Sequence, residues 1–201
     1  MSKINLVLDL DNTLISSISF KEMKKIKGIK DRKLQYKEMD SYYRVFYRPH
    51  LKEFLDYAFE NFDVTVWTAA SRDYATFIID NILLDTPSKK GSRKKQKTHP
   101  TKQLKMFFYD DNCDQSQDMY DKESPKDLKY LYHFQGYHPC NTIIVDDLYE
   151  VFQANPKQTI RAVYFDAKKE SSEKDTFLLD AIKKLEEIKE QYEQSGCTLH
   201  K

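Results

Sequence analysis

Residues 4–13 read INLVLDLDNT. The first five of them form a continuous β-rich apolar run, which is typical of a strand buried on both faces of a parallel sheet. The run leads directly into two acids, Asp9 and Asp11. In open α/β sheets, ligands bind beyond the carboxyl ends of the strands. The stretch therefore predicts a core strand with a functional site at its end.

The rest of the chain alternates between two kinds of apolar pattern. Short apolar runs predict further strands at residues 64–67, 106–109, 142–145 and 160–165. Helical spacing of apolar residues, or a proline at the start, predicts helices at 49–62, 71–84, 126–134 and 176–194. The acidic stretch 110–123 is predicted to be irregular. This alternation predicts an α/β fold, a three-layer Rossmann-like domain with a mostly parallel sheet.

The stretch between the first strand and the first long helix has a different pattern. Two extended segments, 14–20 and 42–47, enclose a polar, lysine-rich stretch and predict a small β-hairpin flap over about residues 14–47. We expect a single domain over residues 1–201. The intervals from Asp11 to Thr68 and from Thr68 to Lys126 are already filled by predicted helices, strands, the flap and a loop. We therefore expect no large cap domain, and the site should be open to a large substrate.

The composition is ordinary for a globular chain of 201 residues, with 40% hydrophobic and 32% charged residues and a net charge of +1. That charge implies no general attraction to nucleic acid. No apolar segment approaches the length of a membrane span, so we expect no membrane partner. Cys113, Cys140 and Cys197 lack metal-ligand spacing, which favours reduced thiols and an intracellular location, in the nucleus or cytoplasm. Nothing in the sequence indicates the oligomeric state.

A second pair of acids follows a second buried strand. Asp146 and Asp147 come directly after residues 142–145, and parallel strands would bring them to the edge that holds the first pair. Carboxylates gathered in one place require a compensating cation or proton. Hard oxygen ligands suit Mg²⁺, whereas the five scattered histidines do not suggest zinc. The sequence therefore predicts Mg²⁺ at a site formed by Asp9, Asp11, Asp146 and Asp147.

Two further polar residues belong to the same predicted edge. Thr68 follows the strand at 64–67, and Lys126 begins a predicted helix just after Pro125. A hydroxyl and an ammonium beside carboxylates and Mg²⁺ make a phosphoryl-transfer site. Both assignments leave an alternative open. Thr68 could merely cap the following helix. Lys126 competes with Lys122 and Lys129 for its role.

Four motifs in order resemble those of the haloacid dehalogenase superfamily. Residues 9–13 match its Asp-x-Asp-x-Thr signature, and Thr68, Lys126 and Asp146-Asp147 match its second, third and fourth motifs. Finer features resemble the NLI-interacting-factor-like phosphatases, which act on the tail of RNA polymerase II. These features are RPHLKEFL at 48–55, WTAAS at 67–71 and KDL at 126–128.

The resemblance implies a role for each residue. Asp9 would be the nucleophile that forms an aspartyl-phosphate, and Asp11 the general acid and base whose backbone carbonyl also binds Mg²⁺. Thr68 would bind a phosphate oxygen and Lys126 would neutralise charge. Asp147 would be a metal ligand with Asp146 beside it, and Thr13 would fix the turn. The implied function is a Mg²⁺-dependent serine/threonine phosphatase acting on a phosphorylated protein tail.

Some features depart from the family pattern. The usual fourth motif is Asp-Asn rather than Asp146-Asp147, and Leu148-Tyr149 replaces the usual Ser-Pro. The arginine usual near residues 108–110 is absent. Two alternatives stay open, namely a small-molecule phosphatase with the same chemistry and a non-catalytic module that binds phosphoproteins or nucleic acid. The intact pair of Asp9 and Asp11 speaks against the second.

A lysine-rich loop is predicted over about residues 86–105. It contains the basic residues Arg93, Lys94, Lys95 and Lys97 without an acid among them. One interpretation is a solvated loop, which is what a run of charge usually forms. The other is a surface that attracts an acidic macromolecular substrate or a partner associated with nucleic acid.

Overall fold

A computed structural model of the chain describes residues 3–84, 102–120 and 122–198. Its strands are β1 (Asn5–Leu8), β2 (Ile15–Ser19), β3 (Tyr36–Met39), β4 (Tyr43–Tyr47), β5 (Asp63–Trp67), β6 (Met106–Phe108), β7 (Thr142–Asp146) and β8 (Thr159–Arg161). Its α-helices are α1 (Phe20–Met23), α2 (Leu51–Asn61), α3 (Arg72–Ile78), α4 (Asp110–Met119), α5 (Tyr149–Ala154) and α6 (Phe177–Ser195). A π-helical segment, Ile79–Leu83, directly continues α3.

The central sheet has five parallel strands in the order β6-β5-β1-β7-β8, which confirms the predicted parallel α/β fold. Alternate residues of each strand point to opposite faces. Leu6 and Leu8 of β1 join the core beneath α2, α3 and α6, whereas Val7 joins the core on the other face, beneath α4 and α5. A strand that is apolar on both faces therefore becomes the middle of three layers.

The predicted flap is a second, antiparallel sheet in the order β2-β4-β3. The expected hairpin pairs β2 with β4, and β3 adds a third strand that the sequence analysis did not predict. The inner face of this sheet, including Ile18 and Phe46, packs with Phe165 in a small core of its own. The flap therefore rests on the segment that follows β8.

Three predicted elements differ in the structure. The stretch predicted to be irregular contains α4. The acids in its first turn interact favourably with the helix dipole, and Asn112 Oδ1 accepts a hydrogen bond from the Tyr109 amide at 3.0 Å. The helix predicted at 126–134 is a 3₁₀ helix over Leu128–His133. The strand predicted at 160–165 is only β8, because the chain beyond it turns back to the loop after β1.

The prediction of three reduced thiols is wrong for one pair. Cys140 and Cys197 form a disulfide across 57 positions of sequence, whereas Cys113 is a buried free thiol. Gly196, at φ 70°, ends α6 in the left-handed conformation. The chain then turns so that the Thr198 amide donates to the Cys140 carbonyl at 2.8 Å, which brings the two cysteines together.

No helix in the described part of the chain is both long and apolar enough to cross a membrane. The basic residues Arg93, Lys94, Lys95 and Lys97 lie outside the described residues. Where the described chain resumes, Lys102 pairs with Asp56 at 2.7 Å, and Lys105 donates to Asn5 Oδ1 at 2.5 Å. Asn5 begins β1, so this end of the predicted loop is attached at the edge of the sheet opposite the acids.

Candidate active site

Three parallel strands deliver the predicted acids and Thr68 to one edge of the sheet. The register pairs Leu8 of β1 with Val66 of β5 and with Val145 of β7. Asp9, Thr68 and Asp146 therefore lie at or just beyond the same level of the sheet. The Asp9 amide donates to the Val145 carbonyl at 3.1 Å, which continues the β1–β7 ladder to the site itself.

Lys126 is the centre of the charge arrangement. Its side chain is fully buried, and Nζ donates to Asp9 Oδ1 at 2.6 Å and to Asp146 Oδ2 at 2.7 Å. Burial lowers the pKa of Lys126, but the charges of Asp146 and Asp9 outweigh burial and raise the pKa above its ordinary value. Lys126 is therefore a fixed cation between two carboxylates, and Lys122 and Lys129 have no place in these contacts.

Asn155 positions Lys126, and the sequence analysis missed it. Its Nδ2 donates to the Lys126 carbonyl at 2.8 Å, and its Oδ1 accepts from the Leu128 amide at 2.9 Å. One buried amide side chain thus holds both ends of the short stretch that presents Lys126. Asn155 ends α5, some thirty residues further along the chain, and no local pattern marks it.

The two neighbouring acids have different surroundings. Asp146 is fully buried, and both its oxygens accept hydrogen bonds, Oδ2 from Lys126 and Oδ1 from the Leu148 amide at 2.9 Å. Asp147 is half-buried and accepts from Thr13 Oγ1 at 3.0 Å. Burial, and then the negative charge of Asp9, raises the pKa of Asp147. Asp147 is therefore better placed than Asp146 to give an oxygen to a metal ion.

The residues present fit a divalent cation. Asp9, Asp146 and Asp147 each have a carboxylate oxygen, and these three oxygens lie within 4.8 Å of one another. Asp11 adds a fourth carboxylate near Asp9 and Asp147, while Lys126 supplies one positive charge to Asp9 and Asp146. The excess of negative charge and the hard oxygen donors suit a metal such as Mg²⁺.

Asp11 lies in the tight turn that follows β1. The turn forms because Asn12 adopts φ 60°, a left-handed conformation that asparagine tolerates. Tyr74 Oη donates to Asp11 Oδ1 at 2.6 Å. The pKa of Asp11 is raised to about 6, because burial and the negative charge of Asp9 together outweigh the hydrogen bond from Tyr74, which lowers it. A carboxyl group with this pKa can hold and release a proton near neutral pH.

Thr68 is buried at the end of β5. Its Oγ1 accepts a hydrogen bond from the Ala70 amide at 3.1 Å, in the turn ahead of α3. The N-cap of α3 is Ser71, so the alternative that Thr68 merely caps this helix is wrong. A threonine hydroxyl can accept one bond and still donate another. The contact is therefore compatible with the predicted bond to a phosphate oxygen.

Two arginines support this edge from outside the acid cluster. Arg48 of the RPHLKEFL stretch is fully buried, donates to the Thr13 carbonyl at 2.9 Å and forms a two-pronged ion pair with Asp175 at 2.8 Å. It thereby attaches the loop after β1 to the chain before α6. The guanidinium of Arg72 lies 5.6 Å from the ring centre of Tyr109. A positive charge therefore stands near residues 108–110 although the local sequence has no arginine there.

Comparisons with known proteins agree with this geometry. The chain matches the family described as NLI interacting factor-like phosphatase over residues 4–195. It is 35% identical over 181 residues to a CTD phosphatase-like protein of Invertebrate iridescent virus 6, covering 87% of this chain and 93% of that protein. The corresponding protein of Invertebrate iridescent virus 3 is 35% identical over 187 residues, with coverage of 92% and 96%.

Among solved structures, the chain is similar to Fcp1, described as an essential RNA polymerase II CTD phosphatase. The TM-score is 0.54 at 18% identity, over 98% of this chain and 57% of that one. Fission yeast Fcp1 bound to beryllium fluoride gives a TM-score of 0.51 at 19% identity, over 94% of this chain and 51% of that one. The chain thus spans a little over half of the Fcp1 chains, and at these identities the likeness concerns the fold, that of the haloacid dehalogenases.

Proposed function

The chain belongs to the NLI interacting factor-like phosphatase family, and we propose that it removes phosphate from serine or threonine residues of a protein through an aspartyl-phosphate on Asp9. That it is a phosphatase of the haloacid dehalogenase type follows from the family. The observation that supports the proposed mechanism best is the contact of Lys126 Nζ with Asp9 Oδ1 at 2.6 Å. A cation at this distance offsets the negative charge that an incoming phosphate meets at Asp9.

In the proposed first step, the Asp9 carboxylate attacks phosphorus and the bond to the leaving oxygen breaks. Asp11 gives its proton to that oxygen, and Thr68 donates to a phosphate oxygen. In the second step, Asp11 takes a proton from a water molecule that attacks the aspartyl-phosphate, which frees Asp9 and releases inorganic phosphate. Mg²⁺ held by Asp9, Asp147 and the Asp11 carbonyl would stabilise the charge on the phosphate.

A protein substrate is supported by the family and by the shape of the chain. The curated viral relatives are named CTD phosphatase-like, a name that refers to a protein tail. The interval between Asp11 and Thr68 is taken up by the flap, α2 and β5 and so holds no large cap domain, which suits a substrate as large as a protein tail. We propose a phosphorylated tail like that of RNA polymerase II as the substrate. Contact between this tail and Arg93, Lys94, Lys95 and Lys97 stays a prediction.

The substrate class can be tested by comparing kcat/KM for serine-phosphorylated tail peptides with values for sugar phosphates and nucleotides. We expect the peptides to exceed the small molecules by about tenfold or more, the scale on which contacts beyond the phosphate discriminate between substrates. The unphosphorylated peptide, added as an inhibitor of aryl-phosphate hydrolysis, is the control for binding. A preference for a sugar phosphate or a nucleotide would favour the small-molecule alternative.

The metal assignment gives a prediction that separates the two neighbouring acids. Asp147→Ala should raise the Mg²⁺ concentration for half-maximal activity by about tenfold or more, on the scale typical of losing a metal-site contact. Asp146→Ala should change this concentration little and instead lower the melting temperature, because Asp146 is a buried partner of Lys126. Phosphatase activity as a function of Mg²⁺ concentration and thermal unfolding measure the two effects. Equal Mg²⁺ requirements in the two variants would contradict the assignment.

A further inference from the structure

A chain of hydroxyl groups connects the flap to Asp11. Tyr74, the third residue of α3, donates from Oη to Asp11 Oδ1 at 2.6 Å. Ser17 Oγ, on β2 of the flap, forms a short hydrogen bond with the same Tyr74 Oη. A phenol has one hydrogen, which Tyr74 gives to the carboxylate, so the Ser17 hydroxyl is the donor to Tyr74. The order is therefore Ser17 to Tyr74 to Asp11.

Ser17 and Tyr74 lie in regular secondary structure, whereas Asp11 does not. Ser17 pairs with Val45 in the flap sheet, and Tyr74 lies one residue before Ala75, which is completely buried in the main core. The ring of Tyr74 also packs edge-on against Tyr43, with ring centres 6.1 Å apart. Asp11 sits in the turn after β1, next to Asn12 at φ 60°. Two packed elements, β2 and α3, thus hold one oxygen of the Asp11 carboxylate.

We infer that Tyr74 is a positioning residue for the proton transfers of Asp11, and that Ser17 fixes Tyr74 in turn; this inference rests on the proposed function. Tyr74 occupies Oδ1, which leaves Oδ2 to give a proton to the leaving oxygen as its bond to phosphorus breaks. Oδ2 regains a proton from the water molecule whose oxygen bonds to the phosphorus of the aspartyl-phosphate. Tyr74 keeps its own hydrogen throughout and acts by orientation alone.

Substrates whose leaving groups differ in basicity can distinguish two roles of Tyr74, namely orienting Asp11 and merely supporting the shape of the site. A 4-nitrophenolate leaves with little need of a proton, whereas phenolate needs more and the serine alkoxide most. Misplacing the acid by about 1 Å can cost on the order of 10²-fold in rate, but only in a step that uses the proton. Loss of positioning should therefore be selective for poor leaving groups.

The test compares kcat/KM for 4-nitrophenyl phosphate, phenyl phosphate and a phosphoserine peptide, because kcat/KM reports the steps up to departure of the leaving group and excludes the hydrolysis of the aspartyl-phosphate that all three substrates share. For Tyr74→Phe, we expect a loss of roughly 10- to 100-fold on the peptide and of less than about threefold on 4-nitrophenyl phosphate, with phenyl phosphate between them. Ser17→Ala should give a smaller loss in the same order of substrates. Tyr43→Phe, which removes a hydroxyl from the neighbouring ring, should leave all three rates unchanged.

Three outcomes would count against the inference. An equal loss on all substrates in Tyr74→Phe would mean that Tyr74 only supports the shape of the site. If Tyr74→Phe does not fold, Ser17→Ala provides the test. Ratios between the rates on the three substrates that equal those of the wild type would overturn the inference. A wild type without phosphatase activity, or activity that survives Asp9→Asn, would instead overturn the proposed function and the inference with it.

Discussion

Asp9→Asn is expected to abolish phosphate release while the protein stays folded. The amide of asparagine cannot attack phosphorus. In the described part of the chain, the other carboxylate that contacts Lys126 is Asp146, and both of its oxygens already accept hydrogen bonds. We expect kcat to fall by roughly 10⁴-fold or more, on the scale of removing a nucleophile from an enzyme that uses covalent catalysis. Release of inorganic phosphate from 4-nitrophenyl phosphate in the presence of Mg²⁺ measures the loss.

Asp110→Asn is the matched control for this variant. Asp110 lies at the start of α4, where its Oδ1 accepts from the Asp111 amide at 3.0 Å, and it takes no part in the acid cluster. It should keep the wild-type rate, and both variants should retain the wild-type circular dichroism spectrum. Hydroxylamine should release phosphate from a trapped intermediate in the wild type and not in Asp9→Asn. Turnover within tenfold of the wild type in Asp9→Asn would remove Asp9 from the role of nucleophile.

The acid cluster was predictable because each of its members carries a local signal. Asp9 and Asp147 follow apolar runs that are buried on both faces, and the rule for parallel strands then places them at a common edge. The structure brings Asp9, Asp146 and Asp147 together as that rule requires. The same logic explains why β1, β5 and β7 were predicted close to their observed bounds. A buried strand can be recognised in a sequence as a continuous apolar run, because both of its faces must be apolar.

The parts that were missed depend on distant partners or on weak patterns. In α4, the buried positions are Cys113 and Ser116, so the helix shows almost no apolar stripe and reads as irregular. The amide of Asn155 and the hydroxyl of Tyr74 act on residues far away in sequence, which periodicity cannot reveal. The disulfide likewise depends on where α6 ends relative to the chain before β7. Spacing alone does not determine such a pairing.

Lys126→Met should destabilise the protein and inactivate it together. Methionine can fill the volume of the lysine stem, but it leaves Asp9 and Asp146 buried side by side without their cation. Breaking a buried ion pair by removing one partner costs about 3–5 kcal/mol of unfolding free energy. Phosphatase activity should also fall by roughly 10²–10³-fold, because a donor that stabilises transition-state charge is lost. Urea unfolding without metal and aryl-phosphate turnover with Mg²⁺ measure the two effects.

The stability loss in Lys126→Met should depend on pH with a definite sign. Burial already raises the pKa of Asp146 above its ordinary value of 3.8, and Lys126 is the largest influence that lowers it. Without Lys126, the folded state should therefore bind the Asp146 proton more tightly than the unfolded state does. Stability is then retained in acid and lost as pH rises from the ordinary carboxyl range through the raised pKa, so the deficit should be larger at pH 8 than at pH 5.

Lys129→Met provides the comparison for both measurements. Lys129 lies three residues further along, its side chain is 66% exposed, and it forms only a loose contact of 3.4 Å with Asp127. Its free energy of unfolding should lie within about 0.5 kcal/mol of the wild-type value, as is usual for surface substitutions, and the pH dependence of stability should not change. A Lys126→Met protein as stable as this control at pH 8 would show that Asp9 and Asp146 do not depend on Lys126 for charge compensation. Charge compensation by Lys126 would then have to be rejected as the reason why the two carboxylates can lie together in this site.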